Sequence, residues 1–328
     1  MRCQMCQYRD WFERNDPQAL MQGELTTADW KNLVDQTAWF SLITFTGGEP
    51  WVRQDFMEVL TYASRKRRTH FITNGVLLDE ERARRCAELA PRSAWGKGLV
   101  FAGFSLEGPP VLNDAIRGRE GGFEEAMANI RRLVRHRGEL GKRFPRIHVT
   151  SVIQEANVDA LPELPALFAD AGADVLNLTL EIRFASMEGI GEVDPDLLSE
   201  RAPALPRIEP ERLQGALEAT QRAAEEAGIE LRLPDMPVWD IVRYYDGGYD
   251  MGCFTCPSPW NAFRVNWRGQ ASPCALEEVG DVREYRLGKL WNNERMRAFR
   301  RRLMAGPPAV CQGCCELAHR TDCERYEG

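Results

Sequence analysis

The sequence predicts an α/β fold built on a parallel sheet, followed by a smaller cysteine-rich module. Short apolar runs alternate with longer amphipathic stretches between residues 41 and 182, and polar, glycine-containing turns follow three of these runs. Seven of the ten cysteines lie in the last quarter of the chain. Repeated strand–helix units produce parallel strands joined by right-handed crossovers, so we expect a sheet that is open or curled toward a barrel.

The strand–helix units follow one another in a regular order. An amphipathic helix with a capping threonine is predicted over residues 26–40, ahead of the first strand. The predicted strands are residues 41–46, 70–74, 99–106, 146–153, 174–182 and 229–234. The Pro-rich, acidic segment 185–210 is expected to be a loop or lid before a helix over residues 211–228.

The character of the chain changes near residue 245, where short strands, turns and cysteines begin. We therefore predict two domains, residues 1–235 and residues 245–328. Within the second, the alternating run 261–274 is broken at Arg268-Gly269, which predicts a hairpin, and residues 292–306 have the pattern of a helix that ends at Gly306.

Composition and charge exclude several classes of protein. The chain of 328 residues is 44% apolar and 28% charged, which is typical of a globular protein. Its formal net charge of -7 gives no field that attracts nucleic acid, and the basic runs at residues 65–68 and 300–302 are expected on solvated helix faces. No apolar run reaches the roughly 18 residues of a membrane span, so we expect a cytoplasmic protein with no membrane partner.

Ten cysteines in such a chain indicate metal or cluster binding, because reducing compartments do not sustain disulfide frameworks. Cys86 is the exception, since it lies alone in a helical stretch and is expected to be a buried hydrophobe. The pair Cys3 and Cys6 fits a [4Fe–4S] cluster, a zinc site or a redox dithiol.

Several motifs together resemble the radical S-adenosylmethionine (SAM) superfamily, in its branch with a C-terminal SPASM or twitch domain. They are Cys3 and Cys6, "TGGEP" (46–50), "FITNG" (71–75), "FSLEGPPVLNDAIRG" (104–118) and the later cysteines. The resemblance covers nearly the whole chain. It implies a partial (β/α)6 TIM-like barrel followed by a small α+β auxiliary iron–sulfur domain.

The cluster loop of that family reads cysteine, three residues, cysteine, two residues, cysteine. Cys3 and Cys6 match its second and third positions, which places the first cysteine two residues before Met1. The helix at residues 26–40 also has no strand before it. We therefore expect that the sequence is truncated at its N-terminus, within the motif.

The resemblance also implies a set of cofactor-binding residues. Gly47, Gly48 and Glu49 are expected to line the amino-acid end of SAM, and Asn74, Ser105 and Glu107 to lie near its ribose or carboxylate. Glu107 stands where this branch more usually has aspartate. A plain Asn-Gly turn remains an alternative for Asn74, and no catalytic residue is assigned.

The late cysteines resemble the ligands of an auxiliary [4Fe–4S] cluster. Cys256 is followed by twelve residues, Gly269, four residues and Cys274, and Cys311 and Cys314 are separated by two residues. The resemblance therefore assigns Cys256, Cys274, Cys311 and Cys314 as four ligands. An alternative is tetrahedral zinc held by Cys253, Cys256, Cys311 and Cys314, and Cys253, Cys315 and Cys323 are candidates for a second auxiliary cluster.

The implied function is reductive cleavage of SAM to methionine and a 5′-deoxyadenosyl radical. That radical would abstract hydrogen from a peptide or a small molecule, such as a sugar or aminocyclitol. An electron donor such as flavodoxin or ferredoxin is the expected protein partner. The alternative is a non-catalytic iron–sulfur scaffold or peptide-binding protein that has lost SAM chemistry.

Overall fold

The chain folds into two compact units. The computed structural model describes residues 1–6, 22–182, 204–248, 250–274, 277–321 and 323. The first unit comprises Met1–Gln4, Thr26–Thr179 and Gly215–Leu233, and the second comprises Met5–Leu25, Leu180–Gln214 and Pro234–Gly328. The predicted domain limits, 1–235 and 245–328, stay a prediction.

The first unit is built on a six-stranded sheet in which every neighbouring pair is parallel. The strands lie side by side in sequence order: β1 Leu42–Phe45, β2 Arg68–Thr73, β3 Gly98–Ser105, β4 Arg146–Val152, β5 Val175–Thr179 and β6 Glu230–Arg232. Each crossover therefore returns the chain beside the strand it left, as in a (β/α) barrel. This topology confirms the predicted α/β fold class.

One helix precedes β1, and the other helices of this unit connect the strands. They are α1 Thr27–Gln36, α2 Phe56–Lys66, α3 Glu80–Leu89, α4 Pro110–Arg117, α5 Gly122–Glu139, α6 Leu164–Asp170 and α7 Pro210–Ala227. The predicted start of α1 is confirmed, because Thr26 and Asp29 form a reciprocal capping box. Sequence reasoning missed α4, which is only eight residues long and begins with a proline in its first turn.

The two faces of the sheet differ in polarity. On β2, Thr69, Phe71 and Thr73 are buried, and the Phe71 ring lies 6.5 Å from that of Phe104. His70 points to the opposite face, because successive side chains of a strand alternate. There its ring lies 6.4 Å from that of His148 on β4. In the described part of the chain, the Nε2 atom of neither histidine has a hydrogen-bond partner.

Burial decides the charge of both histidines. It lowers the pKa of His70 to about 4. It also lowers the pKa of His148 to about 3, with smaller contributions from neighbouring positive charges. Both imidazoles are therefore neutral near pH 7, so this face of the sheet offers hydrogen-bonding groups without a charge.

The second unit contains short strands and helices. Its strands are β7 Phe254–Thr255, β8 Arg264–Val265, β9 Gln270–Ser272, β10 Gly280–Asp281 and β11 Ala318–His319, and its helices are α8 Val238–Asp246, α9 Ser258–Asn261, α10 Leu287–Leu290 and α11 Glu294–Met304. The predicted hairpin is confirmed as β8–β9, with Gly269 at a φ of +93° in the turn. The predicted helix is confirmed as α11, which Asn293 caps.

Two expectations concern other parts of the chain. Most of the segment 185–210, for which we expected a loop or lid, lies outside the described residues. Among the residues that the structure describes, no helix is both long and apolar enough to span a bilayer.

Candidate functional site

The turn after β1 presents backbone and a carboxylate at the end of the sheet. Gly47 and Gly48 are exposed, and Gly47 has a φ of +136°, which residues with a side chain rarely adopt. The side chain of Glu49 caps a 3₁₀ turn, Pro50–Val52, by accepting a hydrogen bond from the Trp51 N–H. This turn holds the glutamate at the carboxyl end of β1, where sites gather in parallel sheets.

Glu49 joins the ends of β1 and β2. Its Oε1 accepts a hydrogen bond from the Thr73 hydroxyl at 2.7 Å, and its Oε2 accepts one from the Asn74 N–H at 2.8 Å. Burial raises the pKa of Glu49, whereas these hydrogen bonds favour the charged form. The carboxylate is thus held rigidly in a partly desolvated place.

Asn74 uses one end of its side chain in a turn. Its Oδ1 accepts a hydrogen bond from the Val76 N–H at 2.9 Å, and Gly75 follows with a φ of +83°. This is the Asn-Gly turn that we kept as an alternative. The Nδ2 group of Asn74 has no partner among the described residues, so it remains available to a ligand.

After β3, Glu107 is almost completely buried, with 1% of its surface exposed. Its Oε1 accepts a hydrogen bond from Arg117 Nη1 at 2.9 Å, and its Oε2 accepts one from the Val152 N–H at 2.8 Å. Burial raises the pKa of Glu107, and the Arg117 charge opposes that rise. Because Glu107 is buried and its charge is paired with Arg117, it supports this strand end. Its contact with SAM, like that of half-buried Ser105, stays a prediction.

Arg117 is the residue that sequence reasoning missed. Its side chain is buried, and its Nε has no hydrogen-bond partner in the described ranges. The Cys3 sulfur lies 3.9 Å from the Arg117 carbonyl oxygen, and the Arg117 charge also lowers the pKa of Glu49. Two predicted site residues, Cys3 and Glu107, therefore contact Arg117, and the charge of a third, Glu49, is influenced by it. The signal in the sequence was Glu107 within an apolar run, since a buried carboxylate needs a cation.

The two N-terminal cysteines differ in their surroundings. Cys3 is half-buried, and Cys6 is exposed. The segment that carries Cys3 packs against the end of α4, where the Gln4 N–H donates to the Ile116 carbonyl oxygen at 2.9 Å. That packing holds Cys3 beside Arg117. The ligation of a cluster by Cys3 and Cys6 stays a prediction.

In the second unit, the four predicted auxiliary ligands lie close enough for their charges to interact. Burial raises the pKa of Cys311 to about 12, and Cys274 and Cys256 add to the rise. A hydrogen bond with Cys315, burial and the charge of Cys311 raise the pKa of Cys314. The fold thus brings Cys256 close to Cys311, although these cysteines are 55 residues apart in the sequence.

This donor set fits a [4Fe–4S] cluster. Cys256, Cys311 and Cys314 resist deprotonation, because burial disfavours a thiolate and neighbouring cysteines would repel its charge. Bound iron reverses that cost, since a metal cation deprotonates its thiol ligands. Four thiolates are also the number that one such cluster takes.

The two alternatives for the late cysteines are not supported. Cys253 and Cys323 form a disulfide, so neither sulfur is a free thiolate for zinc or for a second cluster. Within the described ranges, no three His, Cys, Asp or Glu side chains converge on a single metal ion. A zinc–sulfur bond is about 2.3 Å long, so a zinc site requires all its thiolate sulfurs to reach one metal ion. A four-iron cluster binds each thiolate through a separate iron and has no such requirement.

Two family models match the chain. The model of the radical SAM superfamily matches residues 1–140, and the model of the SPASM iron-sulfur cluster-binding domain matches residues 256–315. The first match contains Cys3, Glu49, Glu107 and Arg117. The second begins at Cys256 and ends at Cys315.

Curated relatives match over different lengths. The Fe-coproporphyrin III synthase of Methanosarcina barkeri is 34% identical over 150 residues, which are 45% of this chain and 33% of that protein. The chain therefore spans about a third of the length of that relative. The PqqA peptide cyclase of Xanthomonas euvesicatoria pv. vesicatoria is 27% identical over 316 residues, which are 90% of this chain and 73% of the cyclase.

Solved structures show the same fold at low identity. Native anSMEcpe with bound AdoMet aligns with a TM-score of 0.59 and 17% identity, over 91% of this chain and 79% of that one. Streptococcus suis SuiB bound to the precursor peptide SuiA aligns with a TM-score of 0.60 and 13% identity, over 92% of this chain and 69% of that one. These likenesses agree with the parallel sheet described above.

Proposed function

This chain belongs to the radical SAM superfamily and carries a SPASM iron–sulfur domain, and from that premise we propose that it is a peptide-modifying enzyme. SAM, a SAM-binding [4Fe–4S] cluster and an auxiliary iron–sulfur centre are the cofactors of such proteins. The observation that carries the proposal is the arrangement at the carboxyl ends of parallel strands, where Glu49 joins β1 to β2 and Arg117 contacts both Glu107 and Cys3.

The chain offers separate ligand sets for the two clusters. Cys3 and Cys6 would bind the first cluster, and Cys256, Cys274, Cys311 and Cys314 would bind the auxiliary one. When bound, the first cluster and SAM supply hydrogen-atom abstraction from an unreactive carbon, chemistry that no side chain can provide.

The strand-end residues would bind the amino-acid end of SAM. Glu49 would accept hydrogen bonds from the ammonium group, and the exposed backbone at Gly47 and Gly48 allows close approach. The Nδ2 of Asn74, which has no partner in the described part of the chain, is a donor for an oxygen atom of the ligand.

A peptide is the substrate class that the relatives favour. The PqqA peptide cyclase, which matches 90% of this chain, is named for a peptide, and SuiB binds a precursor peptide. We therefore propose a peptide substrate and an electron-donor protein such as flavodoxin or ferredoxin.

The test is cofactor content together with SAM cleavage. The protein, expressed from its native reading frame, is reconstituted anaerobically, and iron and sulfide are quantified. It is then incubated with dithionite and SAM, and 5′-deoxyadenosine is measured. If the protein is a radical SAM enzyme, we expect about eight irons per chain and formation of 5′-deoxyadenosine. The variant Cys3→Ala/Cys6→Ala should retain about four irons and form no 5′-deoxyadenosine.

The opposite result identifies a scaffold. About four irons in the unmodified protein, with no nucleoside, would mean that it holds only an auxiliary cluster. The substrate test is a search for a short peptide encoded beside the gene, which is then incubated with the enzyme and SAM. A mass change in that peptide that depends on SAM would support the peptide assignment.

A further inference from the structure

Arg264 lies between the two segments that carry the auxiliary cysteines. On β8 it pairs in register with Ser272 of β9, two residues before Cys274. Its guanidinium donates to the carboxylate of Glu316, which lies two residues after Cys314. This ion pair therefore connects the chain near Cys274 with the chain near Cys314.

The charge of Arg264 reaches several of the predicted ligands. Burial lowers the pKa of Arg264, but Glu316 and the cysteines Cys315, Cys274 and Cys314 outweigh burial and raise it. Arg264 thus lies close enough to Cys274 and Cys314, two of the four predicted ligands, for their charges to interact, and its partner Glu316 carries the opposite charge.

We propose that the Arg264–Glu316 ion pair sets the reduction potential of the auxiliary cluster, with Arg264 raising the potential and Glu316 lowering it. A [4Fe–4S] cluster with four thiolate ligands is an anion in both oxidation states, and its reduction adds one electron and one negative charge. A nearby cation stabilises the reduced form more than the oxidised form, whereas a nearby anion does the reverse.

A purely structural role makes a different prediction. Half-exposed ion pairs contribute about 0–1 kcal/mol to stability, and removal of either partner breaks the same link between the two segments. The two removals would then have similar effects. In the electrostatic role they shift the potential in opposite directions, so the sign of the shift separates the two roles.

The inference rests on the proposed ligand set, so its test isolates the auxiliary cluster. In Cys3→Ala/Cys6→Ala protein, the midpoint potential is measured by titration with dithionite, followed by electron paramagnetic resonance. Arg264→Gln and Glu316→Gln are the test variants, and Arg264→Lys keeps the charge. Arg301→Gln is the matched control, because Arg301 pairs with Glu294 on α11 at 2.7 Å.

We expect Arg264→Gln to lower the ratio of reduced to oxidised cluster about tenfold at a fixed potential, which corresponds to about 59 mV for a one-electron couple. Glu316→Gln should raise that ratio. Arg264→Lys should retain most of the potential, and Arg301→Gln should leave it unchanged.

Shifts in the same direction for Arg264→Gln and Glu316→Gln, or no shift in either with about four irons retained, would overturn the inference alone. If Arg264→Gln fails to assemble a cluster, the rise expected for Glu316→Gln decides the question. A parent protein that holds no iron would overturn the ligand set, and the inference with it.

Discussion

Arg117 donates a hydrogen bond to Glu107 across 2.9 Å, in a pair whose side chains are only 7% and 2% exposed. The Val152 N–H binds the other carboxylate oxygen, so the pair joins the end of β3 to β4 and to the last turn of α4. Cys3 lies against the carbonyl oxygen of the same arginine. The conformation at the carboxyl end of β3 therefore depends on one buried ion pair.

We predict that Arg117→Gln destabilises the protein by about 3–5 kcal/mol, because it leaves the buried Glu107 charge without its cation. The free energy of unfolding, determined by urea denaturation, measures this loss of stability. The matched control is Arg119→Gln, since Arg119 forms an exposed pair with Glu125 and should cost about 0–1 kcal/mol. Equal losses in the two variants would contradict a special role for the buried pair.

His70 and His148 should make stability depend on pH. Burial lowers their pKa values from 6.5 to about 4 and about 3. As pH falls below 6.5, the unfolded chain takes up protons that the folded chain does not, so stability is complete above pH 6.5 and decreases below it. Between pH 6.5 and 4, His70→Gln should lose less stability than the unmodified protein, by about 3 kcal/mol.

Urea unfolding at a series of pH values checks this expectation. His136→Gln is the control, because His136 lies on α5 and pairs with Glu80 and Glu139. A parallel pH dependence in His70→Gln and the unmodified protein would show that the imidazole is not kept neutral by the fold.

Glu49→Gln should weaken SAM binding at least tenfold. A charge-assisted hydrogen bond contributes about 1.5–3 kcal/mol, and the glutamine removes the negative charge that an ammonium group requires. Isothermal titration with SAM on anaerobic protein measures the dissociation constant. Glu58→Gln, which removes an exposed partner of Lys31, should bind SAM normally, and unchanged affinity in Glu49→Gln would exclude the predicted contact.

Cys274→Ala should abolish the auxiliary cluster and reduce the iron content from about eight to about four atoms per chain. Cys86→Ala is the matched control, because Cys86 is fully buried in α3 and burial raises its pKa far above the usual value. It should retain all the iron. Retention of iron by Cys274→Ala would remove that residue from the ligand set.

The fold was predicted from local patterns in the sequence. The 3.6-residue and two-residue periods predicted the helices and strands, and a capping threonine predicted where α1 begins. The hairpin β8–β9 followed from an alternating run broken at a glycine. These periods extend over only a few helical turns or a single strand, so they can be recognised in the sequence without knowledge of the tertiary structure.

The sequence by itself determined the order of strands and helices, the motif-bearing strand ends and the segments that carry cysteines. Only the tertiary structure decided that Arg117 is the partner of Glu107, that His70 faces His148, and that Cys253 binds Cys323. Each of these relationships joins residues that pairing register and packing bring together. Periodicity assigns a side chain to a face of its own strand or helix, but the packing of the whole chain selects the residue that it meets there.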